Sequence, residues 1–215
     1  MPLIRAVLFD FGLVLSGPPD PVAHRRLETI LHTTHAELEV PYWRHRHDYD
    51  LGVLSGVEFW RTVGNELRHP PGDDELAQLL EADVDLWTQP NQPMIDWAIT
   101  LQDAGTSTGI LSNIGDAMET GIIQRFSWLA GFRHHTFSHR LRIAKPDQRI
   151  YDHAINGIGH PAEATLFIDD RIENVEAARA AGLHAIQYSS HENFLRQLQE
   201  ANVIGLPMPI SLIAK

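Results

Sequence analysis

The sequence predicts an α/β fold, a doubly wound parallel sheet with a small all-helical insert after the first strand. Short apolar runs alternate with stretches of helical periodicity, and such runs are typical of strands buried on both faces. Two of them, residues 6–9 and 164–168, stop at the carboxylates Asp10 and Asp169, while residues 22–87 show helical patterning only. Because strands that alternate with helices become parallel through right-handed crossovers, we expect both acids at one edge of one sheet.

The composition favours a globular protein that binds neither nucleic acid nor membrane. The chain has 215 residues, 43% of them hydrophobic, enough for one core and a small second domain. Its formal charge of −11 disfavours non-specific attraction to nucleic acid and to anionic membrane. A phosphorylated substrate would therefore need a local positive group or a metal ion. The sequence predicts no oligomeric state.

Cysteine is absent, which excludes disulfides, thiolate metal sites and a cysteine nucleophile. This composition suits a reducing compartment, and we expect a cytoplasmic protein. Asp10 interrupts the apolar start, so the start does not resemble a secretory signal, and no stretch approaches the length of a membrane span. The 13 histidines include no helical His-x3-His pair beside a third ligand, so we expect surface or hydrogen-bonded core positions for them.

The insert begins after residues 16–21, a cluster of Ser, Gly, Pro and Asp that ends regular structure. Ser55 with Glu58 three residues later forms a capping-box pattern at one of the predicted helix starts. The helices are predicted at residues 21–31, 36–47, 55–67 and 73–87. Pro90 and Pro93 mark the return to the core. We therefore predict a core of residues 1–16 and 91–215 and a helical domain of residues 17–90.

The remainder of the core alternates helices with strands. The predicted helices cover residues 94–104, 118–129, 150–157 and 174–181, and the predicted strands cover residues 108–111, 135–137, 164–168 and 184–188. The carboxyl-terminal residues 205–215 are apolar, and the sequence assigns no role to them.

Polar residues follow several of these strands or precede the next helix, namely Asp10, Ser112, Asn113, Lys145, Asp169 and Asp170. The ends of parallel strands share one edge of the sheet, so residues far apart in sequence can meet in one pocket there. Three carboxylates in one pocket repel each other unless a cation lies between them, and Mg²⁺ prefers such oxygen ligands. A lysine, a hydroxyl and backbone amides beside them describe a phosphoryl site with a carboxylate that can attack.

At these residues the chain resembles the haloacid dehalogenase superfamily of hydrolases. The resemblance lies in four motifs in the family's order: Asp10 within Phe-Asp-Phe-Gly, Leu111-Ser112-Asn113, Lys145-Pro146-Asp147 with Ile150-Tyr151, and Phe167-Ile168-Asp169-Asp170. A further match is the Asn-x3-Ala-x3-Gly run of Asn174, Ala178 and Gly182. The similarity covers nearly the whole chain, and the helical insert stands at the position of the family's type 1 cap.

The resemblance implies a Rossmann-like core, Mg²⁺ as cofactor and a phosphatase that acts on a small phosphorylated metabolite. Asp10 would be the nucleophile and would form an aspartyl-phosphate that water hydrolyses. The phosphoryl oxygens would be held by Ser112, Asn113 and Lys145. The metal would be held by Asp10, Asp169, Asp170 and the backbone carbonyl of Gly12.

Gly12 departs from the family pattern, because family phosphatases usually carry a second aspartate there as general acid and base. Losing such a group costs on the order of 10²- to 10⁴-fold in rate. Four functions therefore stay open: a phosphatase with an easily expelled leaving group, a 2-haloacid dehalogenase, a non-catalytic protein that binds a phosphorylated ligand or a partner protein, and a phosphotransferase. The Asp-x-Gly form resembles members classed as sugar-1-phosphate phosphatases, which makes a sugar phosphate one candidate substrate.

Substrate choice would lie in the helical insert. Arg46, His47 and Tyr49 belong to its most polar, aromatic-rich stretch, directly before the turn at residues 52–56. Recognition residues commonly lie on such segments of a rigid scaffold, so these three side chains are candidates for substrate contact. The alternative is that residues 44–47 form a solvated helical face and that Trp43 and Tyr49 belong to the core.

Overall fold

Five parallel strands form the central sheet of the computed structural model, which describes residues 2–209. The strands are β1 Ala6–Phe9, β2 Ser107–Ser112, β3 His134–Phe137, β4 Thr165–Asp169 and β5 His184–Gln187. Their order across the sheet is β3-β2-β1-β4-β5. At the centre, Phe9 of β1 is in register with Ile110 of β2 and with Ile168 of β4. The predicted α/β fold class is confirmed.

Ten α-helices lie in the described part of the chain, and those that follow the first four cover both faces of the sheet. The ten helices are α1 Pro21–Ile30, α2 His35–Asp50, α3 Gly56–Glu66, α4 Asp73–Trp87, α5 Gln92–Asp103, α6 Asp116–Arg125, α7 Ser138–Leu141, α8 Gln148–Ile158, α9 Ile172–Ala180 and α10 His191–Glu200. On one face Phe9 packs edge-on against Trp97 of α5, and on the other Phe167 packs edge-on against Tyr151 of α8. Burial on both faces explains why β1 and β4 appear as unbroken apolar runs.

Helices α1 to α4 enclose an apolar core of their own, between β1 and α5 along the chain. Tyr42, Phe59 and Trp60 are buried in it and contact one another through their rings. Ser55 and Glu58 form the predicted capping box at the start of α3. The two segments that connect this helical layer to the sheet pair with each other through an antiparallel bridge between Ser16 and Pro90. The layer is therefore anchored at both ends to the edge of the sheet where β1 ends.

Two helix ends differ from the prediction by three residues or more. Helix α2 continues to Asp50, because the layer of helices packs over its full length. The predicted helix over residues 118–129 is wrong in its last four residues, since α6 ends at Arg125. Phe126 has a backbone outside the helical region, with φ −120° and ψ 93°, and a short 3₁₀ helix, Ser127–Gly131, follows it.

Helix α10 is absent from the sequence-based prediction. The side chain of Ser190 caps its start by accepting a hydrogen bond from the backbone N–H of Asn193 at 3.1 Å. Its buried residues Phe194 and Leu198 lie one turn apart in an otherwise polar segment, which is the pattern of an amphipathic helix, so the prediction missed a signal that the sequence carries. Of the carboxyl-terminal residues without an assigned role, 210–215 lie outside the described residues.

Within the described part of the chain, no helix combines the length and apolar character needed to cross a membrane.

Candidate active site

The carboxyl ends of β1, β2 and β4 meet at one edge of the sheet, as parallel strands require. Asp10 directly follows β1, and Ser112 and Asp169 are the last residues of β2 and β4. The backbone N–H of Asp10 extends the ladder by donating to the carbonyl of Ile168 at 2.9 Å. Strands buried between helices thus deliver three polar side chains to one place.

Neighbouring groups hold both oxygens of the Asp10 carboxylate. Its Oδ1 accepts hydrogen bonds from the backbone N–H of Phe11 at 2.7 Å and from the Oγ of Ser112 at 2.6 Å. Its Oδ2 lies 3.0 Å from the Nζ of Lys145. Asp10 is only 8% exposed, and it lines a cavity between the sheet and the helical layer. The carboxylate is therefore fixed in orientation and still accessible from the cavity.

Lys145 is buried among acceptors. Its Nζ lies 2.6 Å from Asp169 Oδ2 and 3.0 Å from Asp10 Oδ2, and it donates to the carbonyl of Leu111 at 3.0 Å. Burial by itself would lower the pKa of Lys145, but the carboxylates of Asp10 and Asp169 outweigh burial and raise that pKa. The ammonium group is therefore charged where it meets the cavity.

Asn113 fixes the loop that carries Lys145. The Asn113 Nδ2 donates to the backbone carbonyl of Lys145 at 3.0 Å, and the backbone N–H of Lys145 donates to Asn113 Oδ1 at 2.9 Å. This reciprocal pair occupies the side-chain amide of Asn113. The Asn113 side chain thus positions Lys145. The remaining donor of Asn113 for a phosphoryl oxygen is its backbone N–H.

The carboxylates of this site are hard to ionise together. Burial raises the pKa of Asp10 to about 7; Lys145 opposes the rise, and Asp169 and Asp170 add to it. Burial also raises the pKa of Asp170, and the nearby charge of Asp169 adds to that effect. Lys145 alone therefore does not compensate the negative charge, and a cation among these groups would favour their ionised forms.

Asp10, Asp169 and Asp170 each offer one carboxylate oxygen, and these three oxygens lie within 4.8 Å of one another. Hard oxygen donors in this number fit Mg²⁺, which usually takes one or two carboxylates and completes its shell with water and substrate oxygens. The donor set thus fits the predicted cofactor.

The two acids that follow β4 differ in their surroundings. Asp169 is fully buried, and besides its pairing with Lys145 it accepts hydrogen bonds from the backbone N–H of Arg171 at 2.8 Å and from Asn174 Nδ2 at 3.0 Å. Asp170 is partly exposed and lines the cavity. Asp169 is thus largely engaged by protein donors, whereas Asp170 faces the space where a cation would lie.

Gly12 lines the same cavity as Asp10. Its backbone has φ −62° and ψ 132°, which any residue can adopt. A Cβ placed on Gly12 would meet no atom within 4 Å among the residues described. Neither space nor backbone conformation therefore requires glycine at the position where related phosphatases carry their acid.

The cavity above Asp10 has a volume of about 540 Å³. Its floor is formed by the polar residues of the sheet edge, and its upper wall belongs to the helical layer. Much of the remaining wall is apolar and aromatic, formed by Phe11, Leu13, Trp43, Trp87, Ile114 and Met118. A volume of this size suits a small organic ligand.

The three residues predicted for substrate contact have different positions. Arg46 and His47 line the cavity. Arg46 lies between the rings of Tyr42, Tyr49 and Trp87, at 5.5–5.6 Å from each centroid. Tyr49 is not among the described residues that line the cavity.

Tyr49 is instead a packing residue, 1% exposed, that stacks on Phe59 at a centroid distance of 4.9 Å. Its hydroxyl accepts a hydrogen bond from the backbone N–H of Met118 at 3.2 Å, which joins the helical layer to α6. The sequence cannot distinguish this role from substrate contact, because both place a tyrosine near the base of the insert.

Several residues that line the cavity were not among the predicted ones. In α2 these are Trp43 and Asp50, which lie on the same face as Arg46 and His47. The spacing i, i+3, i+4, i+7 is the signal that would have identified this face. Trp87, at the end of α4, gives no comparable signal because only the tertiary packing brings it to the cavity.

The sequence profile described as haloacid dehalogenase-like hydrolase matches residues 4–182. A sesquiterpene phosphatase of Aspergillus oryzae, astK, is 46% identical over 184 residues, which cover 83% of this chain and 87% of that protein. A phosphoglycolate phosphatase of Pseudomonas savastanoi pv. phaseolicola is 26% identical over 229 residues, 93% of this chain and 75% of that protein.

Among solved structures, the HAD family enzyme bt-2542 of Bacteroides thetaiotaomicron, in complex with magnesium and inorganic phosphate, superposes with a TM-score of 0.73. The match covers 87% of this chain and 96% of that chain at 18% sequence identity. At this identity the likeness concerns the fold.

Proposed function

The chain belongs to the haloacid dehalogenase-like hydrolases, and from this membership we propose that it is a Mg²⁺-dependent phosphatase in which Asp10 attacks a phosphate monoester. The observation that carries the proposal is the position of Asp10. Its carboxylate is held between Ser112 and Lys145, beside two further acids, at the floor of a cavity with an apolar wall.

The metal would be held by Asp10, Asp170 and the backbone carbonyl of Gly12, with Asp169 placed behind them to orient Lys145. When bound, Mg²⁺ would supply positive charge to the phosphoryl oxygens and lower the repulsion between phosphate and carboxylates. Burial, with the neighbouring carboxylates adding to it, raises the pKa of Asp10 and of Asp170, and a cation at this position would favour their ionised forms.

The chain's own residues carry the reaction. One Asp10 oxygen attacks phosphorus with an electron pair, the bond from phosphorus to the ester oxygen breaks, and the alcohol oxygen leaves with that bond's electrons. The Ser112 hydroxyl and Lys145 donate to Asp10 in this structure, and on substrate binding they would transfer these hydrogen bonds to the phosphoryl oxygens and hold phosphorus in line with Asp10. Water then attacks phosphorus, which releases inorganic phosphate and restores the Asp10 carboxylate.

The proton for the departing oxygen needs another source, because Gly12 bears no acid. The titratable residues of the helical layer that line the cavity are His47 and Asp50. Burial raises the pKa of Asp50, with Arg46 opposing the rise, so this carboxyl is closer to a proton donor than an exposed aspartate is. Water that enters the cavity is the alternative donor, and it suits an alcohol that leaves readily.

Among phosphorylated substrates we favour phosphate monoesters of apolar alcohols, and within this class the sesquiterpenyl phosphates. The aromatic wall formed by Trp43 and Trp87 supports this choice, since it offers apolar area to the leaving group. Arg46 forms a 2.9 Å hydrogen bond to Asp50 and so is already engaged by protein. The name of the 46% identical relative points to the same class. A sugar phosphate would find few unengaged polar partners on this wall.

The other candidate functions fit the site less well. Displacement of halide from a haloacid needs a carboxylate nucleophile but no metal, and it gives no role to acids clustered beside Asp10. A binding protein would not need the nucleophile oriented by Ser112 and Lys145. Phosphotransferases of this class resemble the form with the second aspartate, which Gly12 replaces.

A phosphate-release assay tests the proposal. Farnesyl phosphate, glucose 1-phosphate and phosphoglycolate would be compared with Mg²⁺ and with EDTA. We expect Mg²⁺-dependent release, fastest from farnesyl phosphate, its loss in D10N and its retention in D103N, a control at the exposed end of α5. Release of halide from 2-chloropropionate in EDTA, or the same turnover in D10N as in the wild type, would overturn the proposal.

A further inference from the structure

Two histidines and a glutamate converge on one point of the helical layer, away from the residues that line the catalytic cavity. His24 and Glu28 lie one turn apart on α1, and His35 is the first residue of α2. Each offers one atom, and the three atoms lie within 4.8 Å of one another. Histidine nitrogens with a carboxylate oxygen form a common ligand set for transition metals.

The distances among these atoms match the face of a coordination tetrahedron. His24 Nδ1 is 3.3 Å from His35 Nδ1 and 2.8 Å from Glu28 Oε1, and His35 Nδ1 is 3.5 Å from Glu28 Oε1. Ligand atoms 2.0–2.1 Å from a tetrahedral Zn²⁺ lie about 3.3 Å from one another. The triangle thus has the size that a zinc ion above its centre requires.

The other ring nitrogen of His24 meets a second carboxylate. His24 Nε2 lies 3.4 Å from Glu39 Oε1. Metal-bound histidines commonly donate their remaining N–H to a carboxylate, which fixes the ring and turns the opposite nitrogen toward the metal. Here that opposite nitrogen is Nδ1, the atom that faces Glu28 and His35.

A second group of the same composition, His32, His69 and Glu75, lies in this layer. Among the described residues His69 Nε2 is 3.1 Å from Glu75 Oε1, but His32 forms no hydrogen bond or ion pair with either of them, so this group is less closely assembled.

A pair of histidine and glutamate with no second histidine also occurs. His45 Nε2 lies 2.9 Å from Glu66, but the Glu66 carboxylate also binds the guanidinium of Arg44. Arg44 thus occupies the place of a second metal ligand, and as a cation it cannot bind a metal ion. His45 therefore serves as a matched control. It is a helical-layer histidine paired with a glutamate, with a guanidinium in place of the second imidazole.

We propose that His24, Glu28 and His35 bind a divalent transition-metal ion, Zn²⁺ by geometry, with the fourth position open to water. The ion would join α1 to the start of α2. Helix α2 also carries Trp43, Arg46 and His47 of the cavity wall. Metal binding would therefore stabilise the layer that covers the active site, without taking part in the reaction.

The test is Zn²⁺ titration of the whole chain in excess Mg²⁺, which keeps the acidic cluster occupied. We expect one Zn²⁺ per chain, a rise of the melting temperature on binding, and affinity at least about tenfold weaker in H24Q and H35Q but unchanged in H45Q and in H69Q, the variant of the second group. Bound Co²⁺ should show the intense visible absorption of a four-coordinate ion, and H35Q should lose it.

The His35 side chain is 65% exposed, so H35Q is expected to fold even if H24Q does not. Failure of the wild-type chain to bind Zn²⁺ in excess Mg²⁺ would overturn the proposal, as would H35Q binding as tightly as the wild type. Both outcomes are independent of phosphatase activity, which the proposal does not use.

Discussion

Ser112 and Asp10 are 102 positions apart, and the Ser112 Oγ donates a 2.6 Å hydrogen bond to Asp10 Oδ1. The bond crosses from the end of β2 to the end of β1. Together with the backbone N–H of Phe11 it holds Oδ1, while Oδ2 faces Lys145. The orientation of the nucleophile therefore depends on the pairing of two strands.

Replacing Ser112 by alanine should lower kcat about tenfold or more while the fold is retained. A hydrogen bond to a charged group contributes roughly 1.5–3 kcal/mol, and about 1.4 kcal/mol corresponds to a tenfold change. Steady-state phosphate release measures the effect, with S127A at an exposed serine as the control. An unchanged kcat in S112A would show that Phe11 and Lys145 suffice to orient Asp10.

Replacing Lys145 by methionine should destabilise the protein by about 3 kcal/mol or more, because Asp10 and Asp169 then share a buried site without their cation. Urea unfolding in EDTA measures this loss. The cost of D169N should be smaller in the K145M background than in the wild type, since its partner is already gone. Additive effects of the two changes would contradict the coupling.

Replacing Gly12 by aspartate should raise kcat. The increase should be about 10²-fold or more if protonation of the leaving group limits the rate. Position 12 has space for a Cβ and an ordinary backbone conformation, so the backbone can carry a side chain there without strain. G12A controls for the change in backbone freedom. A G12D enzyme no faster than G12A would show that the missing acid does not limit turnover.

Replacing Trp43 by alanine should raise KM for farnesyl phosphate about tenfold and leave KM for phosphoglycolate nearly unchanged. Trp43 is 49% exposed and lines the cavity, so its removal takes apolar contact from the leaving group with little loss of core packing. V40A, at another exposed position of α2, is the control. Equal increases for both substrates would refute an apolar leaving-group site.

The sequence predicts the sheet edge of this site well because the signal there is local. Asp10 and Asp169 each end a short apolar run, and parallel pairing places such ends together whatever the intervening chain does. The same reasoning places Ser112 beside them. The separate roles of Asp169 and Asp170 are not local, since they depend on the positions of Arg171, Asn174 and Lys145 in space.

The helical layer is less predictable, because its function depends on how helices face one another. Tyr49 and Arg46 lie three positions apart, yet one packs under α6 and the other lines the cavity. His24 and His35 lie on different helices, so no spacing rule for a single helix connects them. Helix α10 is a different case, since Phe194 and Leu198, one turn apart in a polar segment, mark its buried side in the sequence itself.

Covalent trapping tests most directly whether Asp10 is the nucleophile. The enzyme would be quenched with acid during turnover of farnesyl phosphate in Mg²⁺ and reduced with borohydride, and its peptides would be analysed by mass spectrometry. The peptide of residues 6–25 contains both Asp10 and Asp20, so Asp20 is an internal control. We expect homoserine at position 10 in the wild type and none in D10N. Phosphate release without conversion of Asp10, or with conversion at Asp20 instead, would contradict the account.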